Sequence, residues 1–319
     1  MDKECAPAPK TSAPGAPELI QPATAPRAAL KKKKTTLACV GPTGSFAWFA
    51  AGTFAASLAG EDVSLLPAPD LESIFRLIDD GLCSSALIPM ENSRTGGAGP
   101  AIDLFLRHDL RISVEYSMRA DICLLSRERN TDAIRVIYSH PRHLARCAGK
   151  LAVMFPDAAT VATASDTEAA HFTAQMDGAA ALGHPGLAGQ HGLAALGIGI
   201  QSNADVIRFI RIERRDANAP SSAPCAPEDA ISSLLFTLPD SPGALASVFQ
   251  CLAEAGVSVR KLEMRPLDQE HTPDNLRHAF FAELETDLSS PAHARTMNIL
   301  RAVCADCRLL GCYPRAAEV

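Results

Sequence analysis

The sequence predicts an α/β protein in two parts, and three patterns carry that prediction. From Thr36 to about Ile212, short β-rich runs alternate with helical stretches, the pattern of stacked α and β layers. Asp216 to Asp229 then places three prolines among Ala, Ser and Asn, which is linker chemistry. The remaining residues read strand, helix, strand, strand, helix, strand, the βαββαβ order of a ferredoxin-like module.

In the first part, Thr36 to Val40, Ser85 to Ile88, Arg111 to Glu115, Ile134 to Ser139 and Ala179 to Gly183 are rich in β-formers and bounded by turn residues, which predicts strands. Leu71 to Asp80 spaces its apolar residues as a helix does. In the second part, Ile231 to Leu238, Val257 to Arg265, Arg277 to Glu285 and Arg308 to Tyr313 are predicted strands, with helices over Pro242 to Ala255 and Pro291 to Asp306. Such a module buries one sheet face against its helices and leaves the other face, or its edges, for partners. The predicted division is a tail at 1–35, a first domain at 36–214, a linker at 215–229 and a second domain at 230–319. The tail is rich in Ala and Pro and ends in Lys31 to Lys34 with no continuous apolar run behind the charges, so it reads as disordered rather than as a secretory signal.

At 319 residues the chain has room for two or three domains, and 47% hydrophobic residues can build real cores. A net charge of −6 and a pI near 5.9 speak against a nucleic-acid footprint, which needs a basic face, and for small-molecule work in the cytoplasm. No apolar run approaches the roughly 20 residues of a membrane span. The ten cysteines fall mostly inside apolar runs, such as Cys39 and Cys123, as reduced core residues do. Cys304-Ala-Asp-Cys307 has half of a zinc-site spacing, but no second pair accompanies it, and structural packing is the favoured reading.

Four stretches join polar residues to turn residues at predicted strand ends, where α/β folds place ligands. Gly41-Pro-Thr-Gly44-Ser45-Phe46 follows a strand and opens a helix, whose free N–H groups favour an anion; a plain capped turn is its bland reading. Pro89-Met-Glu91-Asn92-Ser93-Arg-Thr-Gly96 sets a carboxylate, an amide and a hydroxyl side by side, which a polar cleft explains most simply. Ser139-His140-Pro141 has Ser139 as an N-cap with proline in the first turn, and Ser165-Asp166-Thr167 offers another cap or another anion site. Beyond them lies Asp205-Val-Ile207-Arg208-Phe209.

In this order the blocks resemble the prephenate dehydratase family, including its arogenate-using relatives. Members look like G-P-x-G-[ST]-F, P-x-E-N-S-x-x-G, S-H-P-x-x-L-x-x-C, [SD]-T-x-x-A-A and N-x-T-R-F, and this chain has Gly41 to Phe46, Pro89 to Gly96, Ser139 to Cys147, Asp166 to Ala170 and Asp205 to Phe209. The family usually carries a C-terminal ACT domain with segments like P-G-A-L and E-S-R-P; here these are Pro242-Gly243-Ala244-Leu245 and Glu263-Met264-Arg265-Pro266. The resemblance implies two subdomains hinged around a cleft, like a periplasmic binding protein, and a lyase that expels carbon dioxide and water from prephenate to give phenylpyruvate, or acts on arogenate to give phenylalanine. It implies no metal or organic cofactor, phenylalanine as allosteric effector, and a homodimer or homotetramer.

The same resemblance assigns the site. Ser93, Asn92, Thr167, Arg208, Phe209 and position 207 are the expected catalytic residues. Gly44, Ser45, Phe46, Glu91, Gly96, Ser139, His140, Ser165 and Asp166 are expected to bind substrate, with Arg208 and the helix starts at Ser45 and Ser139 taking its carboxylates. Gly243, Ala244, Leu245, Glu263, Met264, Arg265 and Pro266 are expected around the effector. Several positions depart from the family pattern. Ile207 stands where the family has the threonine that hydrogen-bonds the leaving hydroxyl, Asp205 where asparagine is usual, Arg142 and Arg146 where glutamine is common, and Met264 where serine is usual. Three outcomes stay open: a dehydratase in which Thr167, Ser165 or a water on Asp205 replaces the lost donor, a decarboxylase that keeps the hydroxyl, or a non-catalytic binding protein.

Overall fold

The computed structural model describes residues 33–316 except 59–60, 95, 98, 204, 217–228 and 268–275. The tail up to residue 32 and nearly all of the predicted linker lie outside the described residues. The chain first lays down β1 (Lys33–Val40), α1 (Phe46–Ser57), β2 (Glu61–Ala68), α2 (Leu71–Asp79), β3 (Ser85–Asn92), the short β4 (Gly96–Gly97), α3 (Gly99–Arg107) and β5 (Leu110–Arg119). A second sheet follows, from β6 (Cys123–Ser126), β7 (Val136–Ser139), α4 (Pro141–Met154), β8 (Ala159–Ala162), α5 (Asp166–Gln175), β9 (Ala179–Gly183), α6 (Leu187–His191) and β10 (Ala194–Gly197). Then β11 (Val206–Arg214) returns to the first sheet. β1 begins at Lys33 because Lys33 to Thr36 pair with Glu61 to Ser64 of β2, so the predicted tail boundary at 35 is too late.

The first sheet has the order β2-β1-β3-β11-β5, with β4 on β3, and the second β10-β6-β9-β7-β8. β11 runs antiparallel between β3 and β5. The result is two lobes joined by two crossings, the periplasmic-binding-protein-like arrangement that the family resemblance implied. Buried Gln201 stitches the crossings: its Oε1 accepts the Ile122 N–H at 2.8 Å and its Nε2 donates to the Ala120 carbonyl at 3.3 Å. The Ala120 N–H in turn donates to the Asp205 carbonyl at 2.8 Å. No described helix is long and apolar enough to cross a membrane.

Local sequence explains the helix starts. Asp70 caps α2 by accepting the Ser73 N–H, and the helix buries Ile74, Phe75 and Ile78 on one stripe. Ser165 caps α5, while Glu168 reaches back to the Ala164 N–H, a capping-box arrangement. At α4 the cap is His140, whose Nδ1 accepts the Arg142 N–H, and not Ser139 as expected. Ser139 is the last residue of β7 and too deep in the sheet to turn toward the helix.

The C-terminal part is β12 (Ala230–Pro239), α7 (Ala244–Glu254), β13 (Val259–Pro266), β14 (Leu276–Leu284), α8 (Ala294–Val303) and β15 (Asp306–Pro314), in the sheet order β13-β14-β12-β15. Leu234, Phe236, Val248, Leu252, Phe280, Ala282 and Leu300 form a core between this sheet and its helices. The opposite face is not left open. Ile231, Leu235, Phe281, Leu310 and Tyr313 join Phe75, Ile88, Phe105, Ile210 and Ile212 of the first lobe in one continuous core. At Gly311 β15 comes so close to β5 that a Cβ there would lie 1.9 Å from the Ile112 carbonyl oxygen, a place only glycine fits.

Candidate active site

The two lobes meet where the glycine turn before α1 touches the start of α5. Gly41 and Gly44 have φ of +90° and +87°, and a Cβ on Gly44 would come within 2.6 Å of the Thr167 hydroxyl. The Thr167 hydroxyl crosses the seam to donate to the Thr43 carbonyl at 2.8 Å. Ser45 caps α1 by accepting the Trp48 N–H and donates its own proton to the Val40 carbonyl. Phe46 therefore enters the seam with its ring edge-on to both His143 and His184, at centroid distances of 5.5 and 5.2 Å.

Farther along the seam the charges pair. Asp205 is 2% exposed, with Arg146 at 2.7 Å and Arg94 at 3.7 Å, and it accepts from the Asn92 amide at 3.4 Å. Two positions that depart from the family pattern, Asp205 and Arg146, thus form one buried ion pair. His143 Nδ1 lies 2.9 Å from the Asp166 carboxylate, a contact of charge proximity rather than an aligned hydrogen bond. His184 stacks on Phe49 at 4.0 Å and accepts the Gly186 N–H on Nδ1. Burial pushes the His184 pKa down to about 4 against the opposing pull of Asp166.

Ile207 stands opposite Asn92 in the β3–β11 pairing and packs with Phe209 against α1 and β5. Its neighbour Arg208 points to the other face, because side chains alternate along a strand. There it meets Glu91 at 2.7 Å, Glu115 at 3.1 Å and Glu283 of β14 at 2.7 Å. Burial opposes the guanidinium charge, but Glu283, Glu115 and Glu91 outweigh it and hold Arg208 protonated. Burial pushes the Glu283 carboxyl up despite Arg208, whereas for Glu91 the opposing effect of burial is overcome by Arg208 and Lys261, which hold it low. Glu91, Ser93, Glu115, Arg208, Arg260, Lys261 and Glu283 line a cavity of about 520 Å³ on this face.

Four expected site residues are corrected by these positions. Arg208 is engaged by three carboxylates on the face away from Ile207, so it is not the seam's anion donor. Glu91 belongs to the same cluster, tied to Arg208 and to Lys261 at 3.1 Å. Phe209 is 1% exposed in the core with Leu37, Phe54 and Leu87, and presents nothing to a ligand. Ser139 is fully buried and donates its proton to the Leu182 carbonyl. The seam does bring together Gly44, Ser45, Phe46, Asn92, His140, Asp166, Thr167 and Ile207, with Ser165 as the α5 cap. Ser93 sits beside them, its Oγ accepting the Val206 N–H, and Gly96 is exposed in the β3–β4 hairpin.

His143, His184 and Arg94 were missed as site residues, although His140, His143 and Arg146 recur at helical spacing and so share one face of α4. Glu115 and Glu283 were missed too. A lone carboxylate inside the apolar run Phe280-Phe-Ala-Glu283-Leu was the available signal, since a buried charge needs a partner.

The expected effector residues divide between two faces of the C-terminal sheet. Gly243, with φ +85°, opens α7, and Ala244 and Leu245 border a cavity of about 130 Å³ with Phe280. Met264, 57% exposed, pairs with Phe280 on this side, while Pro266 ends β13, also exposed. Glu263 and Arg265 face the first lobe, where Glu263 pairs with Lys261 at 2.9 Å and Arg265 grips Asp103 at 2.6 and 2.8 Å.

The family model for prephenate dehydratase matches residues 37–217, more than half of the chain. The chain belongs to the prephenate dehydratase family. It is 25% identical over 286 residues to the bifunctional chorismate mutase/prephenate dehydratase of Aquifex aeolicus, covering 89% of this chain and 75% of that protein. It is 29% identical over 322 residues to the chloroplastic arogenate dehydratase 5 of Arabidopsis thaliana, covering 94% and 73%. The structure of prephenate dehydratase from Arthrobacter aurescens in complex with L-Phe aligns with a TM-score of 0.73 at 25% identity, covering 88% of this chain and 90% of that one. Within this family the ion pair Asp205–Arg146 and the residue Ile207 are the features that set the seam apart from the pattern expected of members.

His184 gives the seam an acid limit. Folded, it stays neutral down to about pH 4; in the unfolded chain it takes up a proton below pH 6.5. Stability therefore falls as pH drops through that window, because the unfolded state binds more protons. Unfolding midpoints of the wild type and His184→Asn measured from pH 7 to 4 will show a shallower decline in the variant, and parallel curves would contradict the assignment.

Proposed function

We propose that this protein is a prephenate dehydratase, with arogenate as the alternative substrate, and that its C-terminal module is an ACT domain that binds phenylalanine. The observation that carries the first claim is the family match over residues 37–217, which contains all five motif blocks. The reaction breaks two bonds on one ring: the ring carboxylate leaves as carbon dioxide and the hydroxyl leaves as water, driven by aromatisation. The protein must hold two carboxylates and help a poor leaving group depart. The seam offers the α1 start at Ser45 and the more exposed guanidinium of Arg94 for the anions, in place of Arg208. Asn92, Ser93, Ser165 and Thr167 supply uncharged hydrogen-bonding groups around them.

Ile207 favours a second reading, in which carbon dioxide is lost and the hydroxyl kept. Isoleucine matches threonine in shape but donates no hydrogen bond. Incubating the protein with prephenate and following both phenylpyruvate absorbance and carbon dioxide separates the readings. Dehydration gives both products; decarboxylation alone gives carbon dioxide without phenylpyruvate; a binding protein gives neither. Dehydration is the expected result, and Ile207→Thr will raise its rate about tenfold, less than the roughly 100- to 10,000-fold of a positioned proton donor because the parent is already active.

The ACT reading rests on the βαββαβ module, on Gly243 to Leu245 at the start of α7 and on Met264 at the exposed sheet edge. A second copy set against that edge would bring its own α7 start near Met264, which is how a dimer or tetramer would form the effector site. Differential binding of phenylalanine to two arrangements is what would change activity. Calorimetry with L-phenylalanine, paired with sedimentation of the same samples, tests this: binding to an oligomer is expected, and no heat with a monomeric protein would remove it.

A further inference from the structure

We propose that His143 is the catalytic acid that protonates the departing hydroxyl, with Asp166 as its positioning residue; the proposal rests on the dehydratase reading. Each hydroxyl group that could replace the missing threonine is held in a local hydrogen bond, and two of them have already donated their protons. Thr167 spends its proton on the Thr43 carbonyl, and Ser45 spends its own on the Val40 carbonyl. Ser165 and Ser93 accept backbone N–H groups, from Glu168 and Val206. An alcohol there can pass on its proton only if a second acid replaces it. Asp205, the third substitute, is occupied by Arg146 at 2.7 Å. An imidazole can carry the proton itself at neutral pH.

Geometry puts His143 at the right place. It lies on the first turn of α4, three residues before Arg146 and on the same helix face. Arg146 reaches Asp205, Asp205 accepts from Asn92, and Asn92 is the β-sheet partner of Ile207. A rise of about 4.5 Å along α4 separates His143 from Arg146, the first member of the chain of contacts that ends at position 207. Its ring meets Phe46 across the seam, and its Nδ1 is 2.9 Å from Asp166, which leaves Nε2 for the substrate. Among the described residues, the charged and titratable groups around it are Asp166 from α5, His184 from the segment after β9, the α4 cap His140 and Arg146 from its own helix, while α1 meets it with Phe46.

In the step, the C–O bond to the ring hydroxyl breaks as the oxygen takes the proton from Nε2 and leaves as water. The electron pair of the bond to the ring carboxylate completes the aromatic ring, and carbon dioxide departs. His143 regains its proton from solvent. One proton is consumed, and prephenate dianion becomes phenylpyruvate anion, carbon dioxide and water.

The test is steady-state kinetics on prephenate across pH for the wild type, His143→Gln, Asp166→Asn and His143→Gln/Ile207→Thr. His143→Gln should lower kcat about 100-fold with KM within threefold, and remove the decline of kcat/KM toward high pH that a catalytic acid gives. Ile207→Thr in that background should restore about 100-fold, well above the tenfold it gives the wild type, whereas a merely structural role for His143 would leave the same tenfold gain in both. Asp166→Asn should lower kcat five- to tenfold, and it decides the matter if His143→Gln does not fold. An active wild type with His143→Gln, or failing that Asp166→Asn, within threefold of it overturns the proposal alone. A wild type that makes no phenylpyruvate overturns the dehydratase reading beneath it.

Discussion

A guanidinium that is 7% exposed keeps its charge only if carboxylates meet it, and Arg208 is met by three, from three different strands. Glu91 comes from β3, Glu115 from β5 and Glu283 from β14 of the C-terminal sheet. Glu115 and Glu283 are themselves 1% exposed, so each carboxylate depends on the guanidinium beside it. Lys261 and Arg260, from the rim of the C-terminal sheet, complete the cluster by pairing with Glu91 and Glu115. Removing any one of these charges leaves its partners buried and unpaired, which is strongly destabilising.

This junction fixes more than the packing of two sheets. Arg208 sits in the middle of the first lobe's sheet, between β3 and β5, so its direction sets which face of β11 each neighbour takes. With Arg208 held toward the C-terminal sheet, Ile207 and Phe209 must face α1, and Ile207 lies at the lobe seam. Ile207 at the seam is therefore the immediate chain neighbour of the buried, triply paired Arg208. An isoleucine suits that place, packed with Phe209 against α1 and β5. The junction also places a mechanical link between the C-terminal module and the seam, since Glu283 and Arg265 both grip the first lobe while Met264 on the same module faces outward.

Much of this was legible in the chain. The order of the motif blocks pointed to the family, and the strands at Ala179 to Gly183 and across the βαββαβ module follow from β-rich runs bounded by turns. The strands that escaped were short or carried little β-signal: Ala159 to Ala162 and Ala194 to Gly197 are four residues each and mostly exposed, and Glu61 to Ala68 holds a proline. In the site, capping chemistry at Ser45 and Ser165 was readable, but His140 displaced Ser139 because the strand carries Ser139 into the sheet. Arg208 was misread for a physical reason. Its charge suggested a ligand, and nothing local reveals that Glu283, 75 residues away, would claim it. The seam pairs were hidden in the same way, since Arg146 and Asp205 come together only when α4 packs across the crossing between the lobes.

The Arg208 junction ties the C-terminal sheet to strand β11, which carries Ile207 to the seam. Amide hydrogen exchange in the wild type and in Glu283→Gln measures this directly, because the exchange of each strand reports how often it opens. Loss of one of the three carboxylate charges is predicted to speed exchange at least tenfold in residues 206–210 of β11 and in the β3 amides that face them. Faster exchange confined to β14 and β12, with β11 and β3 unchanged, would contradict the account.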